Sequence, residues 1–124
     1  MKTLTILLTD GPYISEYAEM AYKIANAALK DYNVNIFLYM DALHIPKLGQ
    51  SPQQFPNAGK LFQNLADRGA KIRACPRCGM ARGYNPENNK DYPESIKITS
   101  LYDLEKMIAE SDKVISITNR IVRL

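Results

Sequence analysis

The sequence predicts an α/β fold, a single three-layer α/β/α domain over residues 1–124 built on a parallel sheet of about five strands. Three observations predict it. Short apolar runs rich in β-branched residues alternate with longer segments of helical periodicity. The runs, such as "LTILLT" (4–9), read as apolar on both faces, as strands covered on both sides should be. A chain of 124 residues also suits one domain with one core, large enough to need no disulfide staple.

The elements follow in order. "LTILLT" predicts a first strand that leaves into the loop "DGPY" (10–13). Ile14, Tyr17, Ala18, Ala21, Ile24, Ala25 and Ala28 recur at helical spacing and predict a helix from about 13 to 30 with one stripe on the core. "VNIFLYM" (34–40) predicts a second buried strand. Residues 41–59 hold three prolines and two glycines and predict a long loop with one helical turn at its start. Ala58, Leu61, Phe62, Leu65 and Ala66 predict a helix that Gly69 terminates in a left-handed cap. "AKIRAC" (70–75) is the third predicted strand, followed by a short helix, and residues 84–95 are polar loop. "IKIT" (96–99), a helix opened by Ser100 with Asp103 in a capping box, and the strand "KVISIT" (113–118) complete the pattern.

Composition excludes several classes. It is 46% hydrophobic and 23% charged, unlike disordered or fibrous chains. A net charge of +3, from 16 basic and 13 acidic residues with no run of like charge, gives no reason to expect direct nucleic-acid binding. The apolar start is too short for a signal peptide or a membrane span, so no membrane partner and a cytoplasmic location are expected. In that compartment two cysteines three apart are reduced, metal-bound or catalytic rather than structural.

Both cysteines lie in "RACPRCGMARGY" (73–84), which is predicted at the carboxyl edge of the sheet beside Asp10–Tyr13 and Asp41–His44. Ligands of open α/β sheets gather at that edge. Cys-Pro-x-Cys-Gly is a common half of a zinc knuckle, but a structural site needs four ligands. Cys75, Cys78 and His44 are the whole soft-ligand inventory, so no metal and no stoichiometric zinc is expected, and no other cofactor is indicated. A dithiol redox pair fits the C-x-x-C spacing, yet thioredoxin-like folds place it after an early strand and not after a third parallel one. Inert buried cysteines are disfavoured by the arginines at 73, 77 and 82.

A sulfur-carrying thiol is the leading reading, with a dithiol redox protein, or a non-catalytic oligomeric module whose cysteine pair binds metal, as the alternative. Pro76 suits the first helical position, which makes Cys75 the N-cap and Cys78 the third helical residue. A thiolate at such an N-cap would accept from backbone N–H groups. Lowering a thiol's pKa by two units takes about 2.7 kcal/mol. A helix end gives about 0.3–1 kcal/mol and at most about 2, so help from Arg77 and Arg82 is expected.

"GPYISEYAEMAYKIANAALKDYNVNIFLYMDAL" (11–43), Cys75 with Arg82-Gly83 following, and "ITSLYDLEKMIAESDKVISIT" (98–118) together resemble the DsrE/DsrF-like proteins, which include the TusD-type sulfur relay subunits and small uncharacterised relatives. The resemblance implies a parallel α/β/α domain, a homotrimer or homohexamer, and a persulfide at the position matched by Cys75. It implies a sulfurtransferase-type relay with donor and acceptor proteins as partners. Cys78 and Pro76 depart from the relay branch and make Cys78 a resolving or auxiliary thiol.

Other residues read two ways. His44 is a loop residue making a local hydrogen bond, or a base. Asp10 and Asp41 are turn formers, or line a pocket with Tyr13. "DGPY" lacks the glycine spacing of a phosphate loop. The long loops at 41–57 and 84–95, with Tyr39, Phe55 and Tyr92 as aromatic anchors, are expected to need an ordering partner and so to place the cysteine edge near a subunit boundary.

Overall fold

The computed structural model describes residues 1–118. Its elements are β1 (Lys2–Leu8), α1 (Tyr17–Ala28), β2 (Tyr32–Leu38), a 3-10 turn (Met40–His44), α2 (Ala58–Asp67), β3 (Lys71–Ala74), α3 (Pro76–Ala81), β4 (Ile96–Ile98), α4 (Leu101–Glu110) and β5 (Lys113–Ile117). The five strands form one sheet in the order β4-β3-β2-β1-β5, and every neighbouring pair is parallel. Right-handed crossovers fix the layers. From β1 to β4 the chain steps one way and lays α1, α2 and α3 on one face; the return to β5 puts α4 on the other.

The two faces differ in chemistry: the side toward α4 keeps the expected apolar residues Leu7 and Phe37, the latter fully buried, but mixes them with polar ones. Leu4, Ile6 and Leu8 of β1, with Val34, Ile36 and Leu38 of β2 and Ile72 of β3, are buried. They form the side toward α1 and α2, whose Ala18, Ala21, Ala25, Phe62 and Leu65 are also buried. The intervening residues point the other way. Asn35 Nδ2 donates to Thr5 Oγ1 at 3.3 Å, and the Thr5 hydroxyl reaches Met107 O of α4 at 3.2 Å and meets Ser111 Oγ. "LTILLT" therefore hides a period of two, because a single helix on that side leaves polar side chains able to find partners or water.

Helix α1 begins at Tyr17, later than its periodicity predicts. Tyr13 takes a left-handed conformation at φ 68°, and Ser15 Oγ accepts from the Tyr17 N–H at 3.2 Å. The segment before Tyr17 is thus a turn that a hydroxyl closes. Helix α2 is capped by Asn57, whose side chain accepts from the Lys60 N–H at 3.0 Å, and Gly69 at φ 109° follows its end as predicted. Ser100 caps α4 by accepting from the Tyr102 N–H at 3.2 Å.

The long loops contact each other within one chain. The Leu48 N–H donates to Asp91 O at 2.7 Å, and the Tyr92 hydroxyl donates to Leu43 O. Gln50 Nε2 spans Ile45 O at 2.7 Å and Lys47 O at 2.8 Å, while Asn57 Nδ2 reaches Gln50 O at 2.9 Å. Gly59 makes room for this: a Cβ there would sit 2.8 Å from Gln50 Nε2. Tyr92 is only 3% exposed and is an anchor of this core, not of an interface; Phe55, at 62%, is the exposed aromatic of the set.

Candidate functional site

The cysteine pair is built by the way β3 becomes α3. The Cys75 N–H donates to Leu38 O at 3.0 Å, carrying the β2–β3 ladder one step past the strand. Cys75 is extended (φ −71°, ψ 125°), Pro76 takes the first helical position, and Gly79 N–H closes the first turn on Cys75 O at 3.0 Å. Cys75 is the N-cap residue, as the proline predicts. Its sulfur, however, accepts no hydrogen bond from the helix N-terminus.

Both thiols are free and buried, Cys75 at 1% and Cys78 at 8% exposure. They interact directly. Burial pushes the Cys78 thiol up from its ordinary value; the Met40 backbone N–H works against that, the Cys75 sulfur beside it adds to it, and the Arg82 guanidinium opposes it. The net direction is upward, so Cys78 keeps its proton at neutral pH. Met40 stands at φ 53°, a left-handed conformation rare for a non-glycine residue, and this turn brings its N–H to the Cys78 sulfur.

Helix α3 ends in a Schellman motif. Gly83 at φ 87° donates to Met80 O at 3.2 Å, and the Tyr84 N–H returns to Gly79 O at 2.9 Å. A left-handed residue is required there, which is the physical content of the Arg82-Gly83 pair. Arg82 straps the helix to the 3-10 turn: its Nε donates to Asp41 Oδ1 at 2.9 Å and its Nη1 to Cys78 O at 3.1 Å. Gly11 passes close to the Asp41 backbone, since a Cβ there would lie 3.0 Å from Asp41 O. Helix α3 packs at Gly79 against Leu43 and Ile98, where a Cβ would lie at 3.4 and 3.6 Å, ordinary contact distances.

His44 has the local role. Its Nδ1 lies 2.7 Å from the Tyr84 hydroxyl, the two rings are tilted at 5.5 Å, and Tyr84 meets Tyr92 at 5.4 Å. The three rings buttress the turn that carries Met40 and Asp41. Burial raises the Tyr84 hydroxyl's pKa, helped by Asp91, and raises that of Tyr92 strongly, with Tyr84 and Asp91 adding to it. Asp10 accepts from Ser15 Oγ at 2.6 Å. Tyr13 donates to Gln50 Oε1 at 2.6 Å, accepts from the Ala58 N–H at 3.1 Å, and lines an apolar cleft of about 260 Å³ with Ile14, Phe55 and Phe62. Tyr13 thus serves the neighbouring loop and not the cysteines. Arg77 is exposed and makes no ion pair among the described residues. Among the described residues no three His, Cys, Asp or Glu side chains gather as a metal site.

Of the expected residues, Cys75, Cys78, Arg82, Gly83 and Asp41 come together, with His44 one layer behind. Sequence reasoning missed Met40, which no pattern marks, and the buttressing part of Tyr84 and Tyr92, for which the aromatic residues in a polar loop were the available signal. The pair stands at the end of β3, two strands from the switch point between β1 and β5, where Thr9 and Thr118 hydroxyls meet at 2.7 Å.

With this geometry, the comparisons with known proteins agree. The sequence pattern of the DsrE/DsrF-like family matches residues 2–117. The chain belongs to that family. It is 34% identical over 113 residues to the uncharacterized protein MK0008 of Methanopyrus kandleri, covering 90% of this chain and 91% of that one. It is also 34% identical over 113 residues to the uncharacterized protein MJ0989 of Methanocaldococcus jannaschii, covering 90% and 96%. Among solved structures, the YchN protein of E. coli superposes with a TM-score of 0.78 at 22% identity, covering 94% of this chain and 100% of that one. MTH1491 of Methanobacterium thermoautotrophicum, a protein of unknown function, gives 0.70 at 13% identity, covering 94% and 99%. These two likenesses show the DsrE-like fold. No described helix is long and apolar enough to cross a membrane.

Proposed function

We propose that this DsrE-family chain is a small sulfur carrier that holds a persulfide on Cys75, with Cys78 as an auxiliary thiol, and that it works between donor and acceptor proteins in a reducing compartment such as the cytoplasm. One observation carries the reading: an N-cap cysteine at the carboxyl edge touches a second thiol that burial keeps protonated. The Cys75 thiolate attacks the terminal sulfur of a donor persulfide, R–S–SH. A new S–S bond forms on Cys75, the donor's S–S bond breaks, and the donor leaves as the thiolate R–S⁻.

What happens next depends on Cys78. Its thiolate can attack Cys75 Sγ and expel hydrosulfide, leaving a Cys75–Cys78 disulfide that two equivalents of an external thiol would reduce. A protonated Cys78 does this slowly. The raised pKa of Cys78 therefore favours carriage over release at neutral pH. Cys75 is 1% exposed, so loading needs an opening, for which the partly exposed Arg82–Asp41 strap (Asp41 56% exposed) is the element we propose to move. An exposed ion pair of that kind is worth roughly 0–1 kcal/mol and opens readily. The burial of Cys75 in the single chain supports a sheltered persulfide there.

Alkylation rates against pH test the division of labour. At neutral pH the thiol left in the Cys78→Ser variant is expected to react with iodoacetamide faster than the thiol left in Cys75→Ser, whose rate climbs only above about pH 9. The reverse order would make Cys78 the nucleophile and remove the basis for loading Cys75.

A further inference from the structure

The cleft between the starts of α1 and α2 lies apart from the cysteines and combines two chemistries. Its volume is about 260 Å³, and Tyr13, Phe55 and Phe62 line it. Phe62 is fully buried, whereas Phe55 and Ile14, which also lines the cleft, stay 62% and 72% exposed. The Tyr13 and Phe55 rings meet at 5.8 Å with a tilt of 49°. The remaining wall is acidic. Glu16 and Glu19 both line the cleft, three residues apart and so on one side of α1. Neither joins an ion pair among the described residues, and no described Lys, Arg or His lines the cleft. In a chain of net charge +3 this is a local reversal of sign.

The aromatic wall is held under strain. Tyr13 stands at φ 68°, a left-handed conformation rare for a bulky residue. Such strain persists only where the surroundings fix it. Here the Tyr13 hydroxyl is fixed from two sides, by Gln50 Oε1 at 2.6 Å and by the Ala58 N–H at 3.1 Å. The ring is thereby anchored in the wall of the cleft. Acids at a helix start are ordinary, because they complement the helix dipole. That accounts for Glu16 and Glu19, but not for a strained tyrosine and an exposed phenylalanine gathered beside them.

We propose that this cleft binds a small organic ammonium ion that carries one apolar ring or a short apolar chain. The faces of Tyr13 and Phe55 attract a cation through the ring quadrupole. Glu16 and Glu19 supply the opposite charge, and Phe62 with Ile14 takes the apolar part. A volume of about 260 Å³ lies below the roughly 300–1,000 Å³ of sites for drug-sized ligands, which limits the occupant to a compact molecule. A neutral occupant leaves both carboxylates unused, and an anion is repelled by them. The site is separate from Cys75, and the proposal does not rest on sulfur carriage.

Titration of the isotope-labelled full chain with phenethylamine, phenethyl alcohol and hydrocinnamate, followed by NMR at neutral pH in low salt, tests it. Phenethylamine is expected to shift the amides of Ile14, Glu19, Phe55 and Ala58 and to bind about tenfold more tightly than the alcohol. Hydrocinnamate, the same ring with a carboxylate, is expected not to bind. Glu16→Gln/Glu19→Gln should bring the amine down to the alcohol's affinity and leave the alcohol's unchanged, which shows that the cleft has kept its shape. Phe55→Ala should weaken the amine about two- to fivefold. Equal binding of all three compounds makes the cleft a non-selective apolar groove and overturns the proposal. So does an amine that shifts no residue of the cleft, or one whose affinity survives the loss of both carboxylates.

Discussion

Tyr92→Ala is expected to lower stability by about 3–5 kcal/mol, which in a domain of this size moves Tm by roughly 10–25 °C. Tyr92 is 3% exposed, packs at a tilt against Tyr84, and satisfies the Leu43 carbonyl through its hydroxyl. Its removal empties an aromatic-sized space and orphans a buried acceptor at once. Tyr92→Phe separates the two effects, keeping the ring and losing about 1–2 kcal/mol for the unsatisfied carbonyl. The pH dependence has a definite sign. Burial raises Tyr92 and Tyr84 above the ordinary tyrosine value of 10.0. Their contribution is whole below that value and is lost as pH rises above it, because the unfolded chain releases those protons first. Each unit above it costs about 1.4 kcal/mol per tyrosine. Urea unfolding at neutral pH and near pH 11 measures this, and the alkaline loss should shrink in Tyr92→Phe. An equal loss in both proteins would place the effect elsewhere.

The lifetime of the carried sulfur should be governed by one proton. With Cys75 loaded, wild-type protein is expected to release hydrosulfide slowly at pH 7 and about tenfold faster per pH unit toward the Cys78 titration, since only the thiolate attacks. Cys78→Ser should hold the persulfide across the range, with no disulfide formed. Sulfide release and intact mass followed together distinguish the outcomes. Release as fast at pH 7 as at pH 9.5 would make Cys78 a working resolving thiol and the protein a sulfide-releasing one.

Punctuating residues made the frame readable. Pro76 fixes where α3 starts, and with it the N-cap position of Cys75. Gly83 and Gly69 mark chain reversals that need positive φ. Local conformation decides such positions, so a sequence displays them. The mixed sheet face was harder to see because Thr5 and Leu7 sit inside a run whose mean character is apolar; the alternation emerges only when α4 is known to be alone on that side. The burial of Cys75, the left-handed Met40 and the meeting of the two loops through Leu48 and Asp91 are tertiary facts. Nothing local distinguishes a loop that folds onto its neighbour from one that waits for a partner. The arginines likewise divided in a way that spacing could not tell: Arg82 straps the turn, Arg73 lies on the opposite sheet face, and Arg77 is exposed.

Intact-protein mass spectrometry after incubation with a small-molecule persulfide tests the assignment of the sulfur most directly. Wild type and Cys78→Ser are expected to gain one sulfur atom that reducing thiols remove, and Cys75→Ser to gain none. Sulfur retained on Cys75→Ser, or no sulfur on wild type, contradicts carriage by Cys75.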